Sequence, residues 1–156
     1  METLYVMIPM VCLAASIVVG LTGGHVGRAG AHSITIGAVA LAFVLSLIVA
    51  GDVANGHRFD GAIYTWAVSG DIRFEVGFLI DELTAVMMVV VTFVSLMVHI
   101  YTIGYMHNDA GYTRFFSYIS LFTFAMLILV MANNFLLLFF GWEAVGLVSY
   151  LLIGFW

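Results

Sequence analysis

Five apolar runs of membrane-spanning length dominate this chain of 156 residues and leave few folds open to it. A helix needs about 20 predominantly apolar residues to cross a hydrocarbon core about 30 Å thick. The runs that approach or exceed this length cover residues 4–21, 34–50, 82–105, 115–132 and 135–156. They predict an all-α integral membrane protein, a bundle of five transmembrane helices.

The composition agrees with a membrane location. Hydrophobic residues make up 64% of the chain and charged residues 8%, whereas soluble domains carry about 25% charged residues. The chain has four basic residues, all of them Arg, and a net charge of -5. This acidic balance argues against nucleic acid as a partner and leaves the lipid bilayer as the expected surroundings.

The one long connection, residues 51–81, shows the alternation of a β-hairpin. Residues 72–78 alternate apolar with mostly polar side chains, residues 63–68 form a second β-prone run, and Gly70 lies in the turn between them. We expect an extramembrane hairpin over about 57–79, with an ordered loop as the alternative. Because an isolated hairpin is marginally stable, it should dock on helix ends or on a neighbouring subunit.

Basic residues give the predicted orientation. The connection over residues 22–33 carries Arg28 and no acid, and Arg114 marks the start of the fourth run, whereas the hairpin side is acidic. The positive-inside rule then places the hairpin and the amino terminus outside and the carboxyl end inside. The last apolar run has no polar flank after it, so we expect residues 1–156 to be one membrane domain that forms part of a longer protein.

Glu143 is the only charged residue after Arg114. It lies eight residues after Phe135, about 12 Å along a helix and well inside the hydrocarbon layer. Such carboxylates are costly, usually face a bundle interior and mark ion or proton pathways. The spacing puts Gly146 and Tyr150 on the same face, where the Tyr150 hydroxyl could hydrogen-bond to the carboxyl group. We therefore interpret Glu143 as a proton site; a neutral, structural hydrogen-bond donor is the alternative.

His99 is the only histidine inside a predicted span, which makes it either a proton-relay residue or a packed side chain. A transmembrane haem needs paired histidines on facing helices, and the other four lie in predicted loops or at their edges, so no haem is expected. The single cysteine, Cys12, excludes a disulfide framework within the chain and a cysteine-based metal site. Asp81 and Glu82 are expected to cap the third helix, and Trp142 is expected to pack in the core.

The residues also carry a resemblance to a known family. The run over residues 137–156, with Gly141-Trp142-Glu143 near its start, resembles the fifth transmembrane helix of the antiporter-like L subunit of proton-pumping NADH:quinone oxidoreductase, respiratory complex I. Three upstream runs resemble the same subunit in order and spacing; they cover residues 81–88, 99–106 and 114–116.

The resemblance implies that Glu143 belongs to a proton pathway and pairs with a lysine on a later, broken helix. It implies a parent complex of the bacterial or mitochondrial inner membrane that oxidises NADH, reduces quinone and moves protons. That complex uses flavin and iron–sulfur clusters, and none of these cofactors is expected in this chain. The expected partners are the other membrane subunits.

This sequence contains no lysine, so we expect it to supply only one half of such an ion pair. Two alternatives remain open. The large subunit of multisubunit cation/proton antiporters is similar, although its residues after the glutamate resemble Leu-Thr-Ser more than the Ala144-Val145-Gly146 found here. A truncated or non-transporting membrane scaffold is the other.

Overall fold

The computed structural model describes residues 2–155, which form four helices and one two-stranded sheet. The elements in chain order are α1 (Glu2–Ala54), β1 (Phe59–Ser69), β2 (Ile72–Ile80), α2 (Glu82–Tyr105), α3 (Tyr112–Met131) and α4 (Phe135–Ile153). Trp156, where the last predicted span ended, lies outside the described residues. Within the described part of the chain, four helices are long and apolar enough to cross a membrane. The predicted helical membrane architecture is confirmed in this form, with four helices of spanning length where five were predicted.

The count differs because the first two predicted spans lie in one helical element, α1. The loop expected over residues 22–33 is helical on both sides of Gly27, whose backbone alone is non-helical, with φ 76° and ψ -178°. Glycine adopts positive φ without the steric cost that a Cβ would bring. One residue therefore replaces the predicted loop, and Arg28 and His32 lie on a helix.

Helix α1 reverses direction at Gly27. A straight helix of 53 residues would be about 80 Å long. The ring centroids of Tyr5, near the start of α1, and Phe59, five residues after its end, are nevertheless 5.2 Å apart. Gly23, just before the reversal, lies against Thr113 at the start of α3. We call residues 2–26 the first arm and residues 28–54 the second arm, and the two run antiparallel.

Hydroxyl groups join the first arm to α3. Ser16 and Ser117 each donate a hydrogen bond to the other's carbonyl oxygen, both at 2.8 Å. One turn along, the Ser120 hydroxyl donates to the Cys12 carbonyl at 2.8 Å. Small side chains let helix backbones approach closely where lipid gives no hydrophobic driving force for association. These contacts fix the register of α3 against the first arm.

The predicted hairpin is confirmed: β1 and β2 pair antiparallel, and Gly70 occupies the turn with φ 61°. The end of the hairpin away from the turn, which we call its base, is docked on the helices. There Phe78 is 2% exposed, and the backbone amide of Asn133 donates to the Gly77 carbonyl at 3.1 Å. At the other end Ile72 is 60% exposed. The hairpin thus docks on helix ends through its base.

Side-chain caps begin two of the helices. The Asp81 carboxylate accepts a hydrogen bond from the Thr84 amide at 2.9 Å and opens α2, as predicted. Asn134 does the same for the Leu137 amide at 2.9 Å and opens α4. Each cap satisfies an amide that has no partner inside its own helix.

Candidate proton-transfer site

Glu143 lies on the uncovered face of α4. Its side chain is exposed, as are Leu147 at 59% and Tyr150 at 74%. Among the described residues it has no hydrogen bond or ion pair, so the bond expected from Tyr150 is not formed. The expectation that Glu143 faces the interior of the bundle does not hold for the helices present here, which lie on the other side of α4.

The opposite face of α4 packs on α3 through Leu137, Gly141 and Val148. A Cβ atom on Gly141 would come within 2.9 Å of the Leu129 backbone, so this contact requires glycine. Trp142 is 65% exposed, and its predicted place in the core is wrong. Because Gly141 fixes which side of α4 meets α3, it also turns Glu143 outward.

Tyr150 lines a cavity of about 250 Å³ at the end of α4, together with Arg114 and Tyr118. Arg114 donates from Nη2 to the Phe155 carbonyl at 3.3 Å, and its guanidinium lies 4.5 Å from the centroid of the Phe155 ring. Tyr150 thus shares a site with a cation and not with Glu143.

His99 is fully buried between α2 and α3, in a small polar network. Its Nδ1 lies 2.7 Å from the Ser95 carbonyl oxygen and 3.3 Å from Ser95 Oγ. Ser95 Oγ in turn lies 2.5 Å from Thr123 Oγ1 on α3. Sequence reasoning missed Ser95 and Thr123; the position of Ser95 one helical turn before His99 is the signal that could have found the first.

A second cluster of polar side chains, which sequence reasoning also missed, lies near the reversal of α1. His32 Nδ1 is 2.9 Å from the Tyr112 hydroxyl, and the Arg28 guanidinium lies 5.3 Å from the centroid of the Tyr112 ring. Arg28 also donates hydrogen bonds to the carbonyls of His107 and Asp109, which joins the reversal to the turn between α2 and α3. His32 was assigned to a loop, which hid this contact.

The fold and these side chains define a multi-pass membrane protein that carries a carboxylate and a buried imidazole within its spans. Residues 66–116 match the family described as the N-terminus of chain 5 of NADH-ubiquinone oxidoreductase, complex I. The chain is 64% identical to NADH-quinone oxidoreductase subunit L of Neisseria meningitidis over 99% of its own length. The match covers 23% of that subunit. It is 44% identical to subunit L of Rickettsia felis over 99% of this chain and 24% of that protein.

A eukaryotic protein is also similar: NADH-ubiquinone oxidoreductase chain 5 of Dictyostelium discoideum, 42% identical over 98% of this chain and 23% of its own length. Over nearly its whole length the chain is thus similar to complex I membrane subunits, which confirms the resemblance inferred from its residues. It spans about a quarter of the length of the curated relatives it matches. The multi-pass membrane location is likewise confirmed.

Proposed function

We propose that this chain forms the amino-terminal part of a proton-translocating membrane subunit of NADH:quinone oxidoreductase. The parent complex couples NADH oxidation and quinone reduction to proton transport across a bacterial or mitochondrial inner membrane. Glu143 is the residue that takes up and releases the proton in this part of the subunit. The redox cofactors belong to other subunits, and proton uptake and release at Glu143 uses none of them.

The observation that carries the proposal is a carboxyl group in the middle of a helix that is otherwise apolar on every side. A charge there is costly unless it is paired or performs a function. Glu143 follows Gly141 and Trp142 in the run that resembles the family's proton pathway, and the identity to subunit L extends over 99% of the chain. The role of Glu143 therefore rests on its position and on the family together.

The uncovered face of α4 supports a further partner for Glu143. The described helices leave the carboxyl group without a hydrogen bond or ion pair, and the sequence supplies no lysine. A cation from another segment or subunit would favour the ionised form, and its withdrawal would favour the neutral form. Switching that partner loads and unloads the proton.

The test compares Glu143→Gln with Glu143→Asp in the full-length protein within its complex. Gln keeps the shape and hydrogen bonding but cannot titrate, so proton pumping should fall strongly. Asp keeps a carboxyl group, so it should retain more activity. Quinone reductase activity and the proton gradient are measured together, since tight coupling lowers both.

A matched control is Glu75→Gln, because Glu75 is a half-buried acid in the hairpin and outside the spans. It should leave pumping unchanged. A structural role for Glu143 predicts the reverse order, with Gln the better substitute. Full pumping by an assembled Glu143→Gln complex would remove the residue from the pathway and favour the scaffold alternative.

A further inference from the structure

The Nε2 atom of His99 has no hydrogen-bond partner, and it is the one such buried side-chain nitrogen or oxygen in the described part of the chain. A buried polar atom without a partner loses its hydrogen bond to water and gains none in return, so it destabilises the fold. Buried polar groups are otherwise nearly always paired with protein or ordered water. This atom is therefore the place to look for a ligand.

The hydrogen bonds on the other side of the ring assign its tautomer. The Ser95 carbonyl can only accept, so Nδ1 carries the hydrogen and donates it. Thr123 donates its hydroxyl hydrogen to the Ile119 carbonyl at 2.9 Å, so Ser95 Oγ donates to Thr123. The chain of donors ends on a backbone oxygen. Neutral His99 thus presents Nε2 as a free proton acceptor, and protons reach the ring only from the Nε2 side.

The register of the two helices shows what lies on that side. Ser95 meets Thr123 across the antiparallel pair, and His99 lies one turn beyond Ser95, about 6 Å along α2. Phe116 lies seven residues before Thr123, about 10 Å along α3 in the same direction. Nδ1 is bonded back towards Ser95, which leaves Nε2 on the edge of the ring away from Ser95, and the Phe116 ring centroid is 6.0 Å from that of His99.

His32 lies against another side of the same phenylalanine. Its ring centroid is 6.3 Å from that of Phe116, and its Nδ1 is 2.9 Å from the Tyr112 hydroxyl. Phe116 is fully buried, whereas His32 is half-buried on the second arm and Arg28, which lies over Tyr112, is exposed. The titratable groups that face this path are thus His32 and Arg28 from α1 and Tyr112 from α3.

We propose that His32 and Tyr112 deliver protons to Nε2 of His99, with Phe116 as the hydrophobic barrier between them. Protonated His32 gives its Nδ1 proton to the Tyr112 hydroxyl oxygen, and that hydroxyl passes its own hydrogen along water that crosses the Phe116 contact. Nε2 of His99 becomes an imidazolium N–H, His32 is left neutral and Tyr112 keeps its hydroxyl group. The proton leaves by the same atom, because the Nδ1 side ends at the Ile119 carbonyl. This makes His99 a proton store within the membrane spans, and the inference rests on the proposed function.

The test follows deuterium exchange at the imidazole Cε1 hydrogen of His99 by mass spectrometry of the intact, assembled complex in D₂O. This exchange passes through the imidazolium and needs water at the ring, so it reports protonation and water access at His99 without requiring pumping. Tyr112→Phe keeps the ring packing, and His32→Gln keeps a polar side chain. Each should slow exchange at His99 about tenfold, as expected for the loss of a hydrogen bond to a charged group.

Phe116→Leu opens the barrier and should speed exchange at His99. The control is Phe115→Leu on the same helix, because Phe115 contacts Phe155 and neither histidine; it should change nothing. Exposed His107 serves as the internal reference in every variant.

No exchange at His99, or exchange indifferent to His32, Tyr112 and Phe116, would overturn the inference whatever Glu143 does. Variant-dependent exchange together with full pumping by Glu143→Gln would instead leave the store in place and remove the proposed function. The two failures are thus distinguishable.

Discussion

Gly141 lies so close to Leu129 that a Cβ atom on the glycine would sit 2.9 Å from both the Cα and the amide nitrogen of the leucine. The two backbones meet where α4 crosses α3. The glycine of the Gly-Trp-Glu run therefore has a packing role of its own, two residues before the carboxylate. It sets the rotation of α4 and with it the direction of Glu143.

The first prediction follows from that contact. Gly141→Ala should destabilise the α3–α4 packing by about 1–3 kcal/mol, as overpacked sites do, and lower activity by displacing Glu143. Gly146→Ala is the matched control on the same helix, because no atom lies within 4 Å of the Cβ it would add. Thermal stability of the purified protein and proton pumping are measured for both. Equal stability of the two variants would contradict the packing role.

The second prediction concerns the reversal of α1. Gly27 has φ 76° and ψ -178°, a region essentially restricted to glycine and costing other residues about 1–3 kcal/mol. Gly27→Ala should therefore lower the midpoint of thermal unfolding, whereas Gly24→Ala should preserve or raise it. Both sites are free of neighbours within 4 Å, so the comparison isolates backbone conformation. A neutral Gly27→Ala would show that the chain can turn there by another route.

The third prediction is a pH dependence at the start of α2. The hydrogen bond from the Thr84 amide, helped by nearby Arg58, holds the pKa of the Asp81 carboxyl below its usual value of 3.8. A lowered pKa in the folded state means that the ionised form stabilises the fold above 3.8 and that this stabilisation is lost as the pH falls through the folded-state pKa. Asp81→Ala should cost about 1 kcal/mol near neutral pH.

The control is Asp81→Asn, which keeps an acceptor for the cap but does not titrate. Melting temperatures of the three proteins are compared near neutral pH and at pH about 3. The difference in melting temperature between the original protein and Asp81→Asn should change on acidification, because only the aspartate titrates. If the original protein and Asp81→Asn lose stability in parallel, the carboxylate has no part in the acid response.

The fourth prediction is the orientation in the membrane. Ser69, at the end of β1 beside the hairpin turn, and Ala110, between α2 and α3, are both exposed and are suitable positions for single cysteines. In a background without other cysteines, Ser69→Cys should react with an impermeant thiol reagent from the outside and Ala110→Cys only from the inside. This pair avoids Gly111, where an added Cβ would come within 2.4 Å of the Phe155 ring. Reversed labelling would invert the topology.

The fifth prediction addresses the hairpin. Phe74 is half-buried with its ring 5.8 Å from Trp66, and Trp66 lies 6.2 Å from Phe140 on α4. Phe74→Asp places a charge in this aromatic contact, so it should weaken assembly of the complex while the helices still insert. Ile72→Asp, at an exposed position of the same strand, should have a smaller effect. Native gel electrophoresis of solubilised membranes compares the two, and equal assembly would rule out a role of Phe74 in docking.

Sequence patterns predicted the apolar helices, the hairpin and the Asp81 cap because each depends on neighbouring residues. They failed at Gly27, because the arginine and histidines around it are typical of a loop. They also failed for the place of Trp142 and for the direction of Glu143 relative to the described helices, since α4 is apolar on all sides and no stripe shows which face packs. The partner of Ser95 is 28 residues away on α3, and no local pattern indicates it.

The reversal at Gly27 also bears on how the protein is made. A ribosome feeding this chain to the insertion machinery delivers the two arms joined at Gly27 without a loop, so residues 2–54 behave as a single helical hairpin and not as two independently inserted segments. An epitope or a protease site placed at the reversal would have to be accommodated by unwinding helix. Biosynthesis and engineering of this region therefore follow the hairpin as one unit.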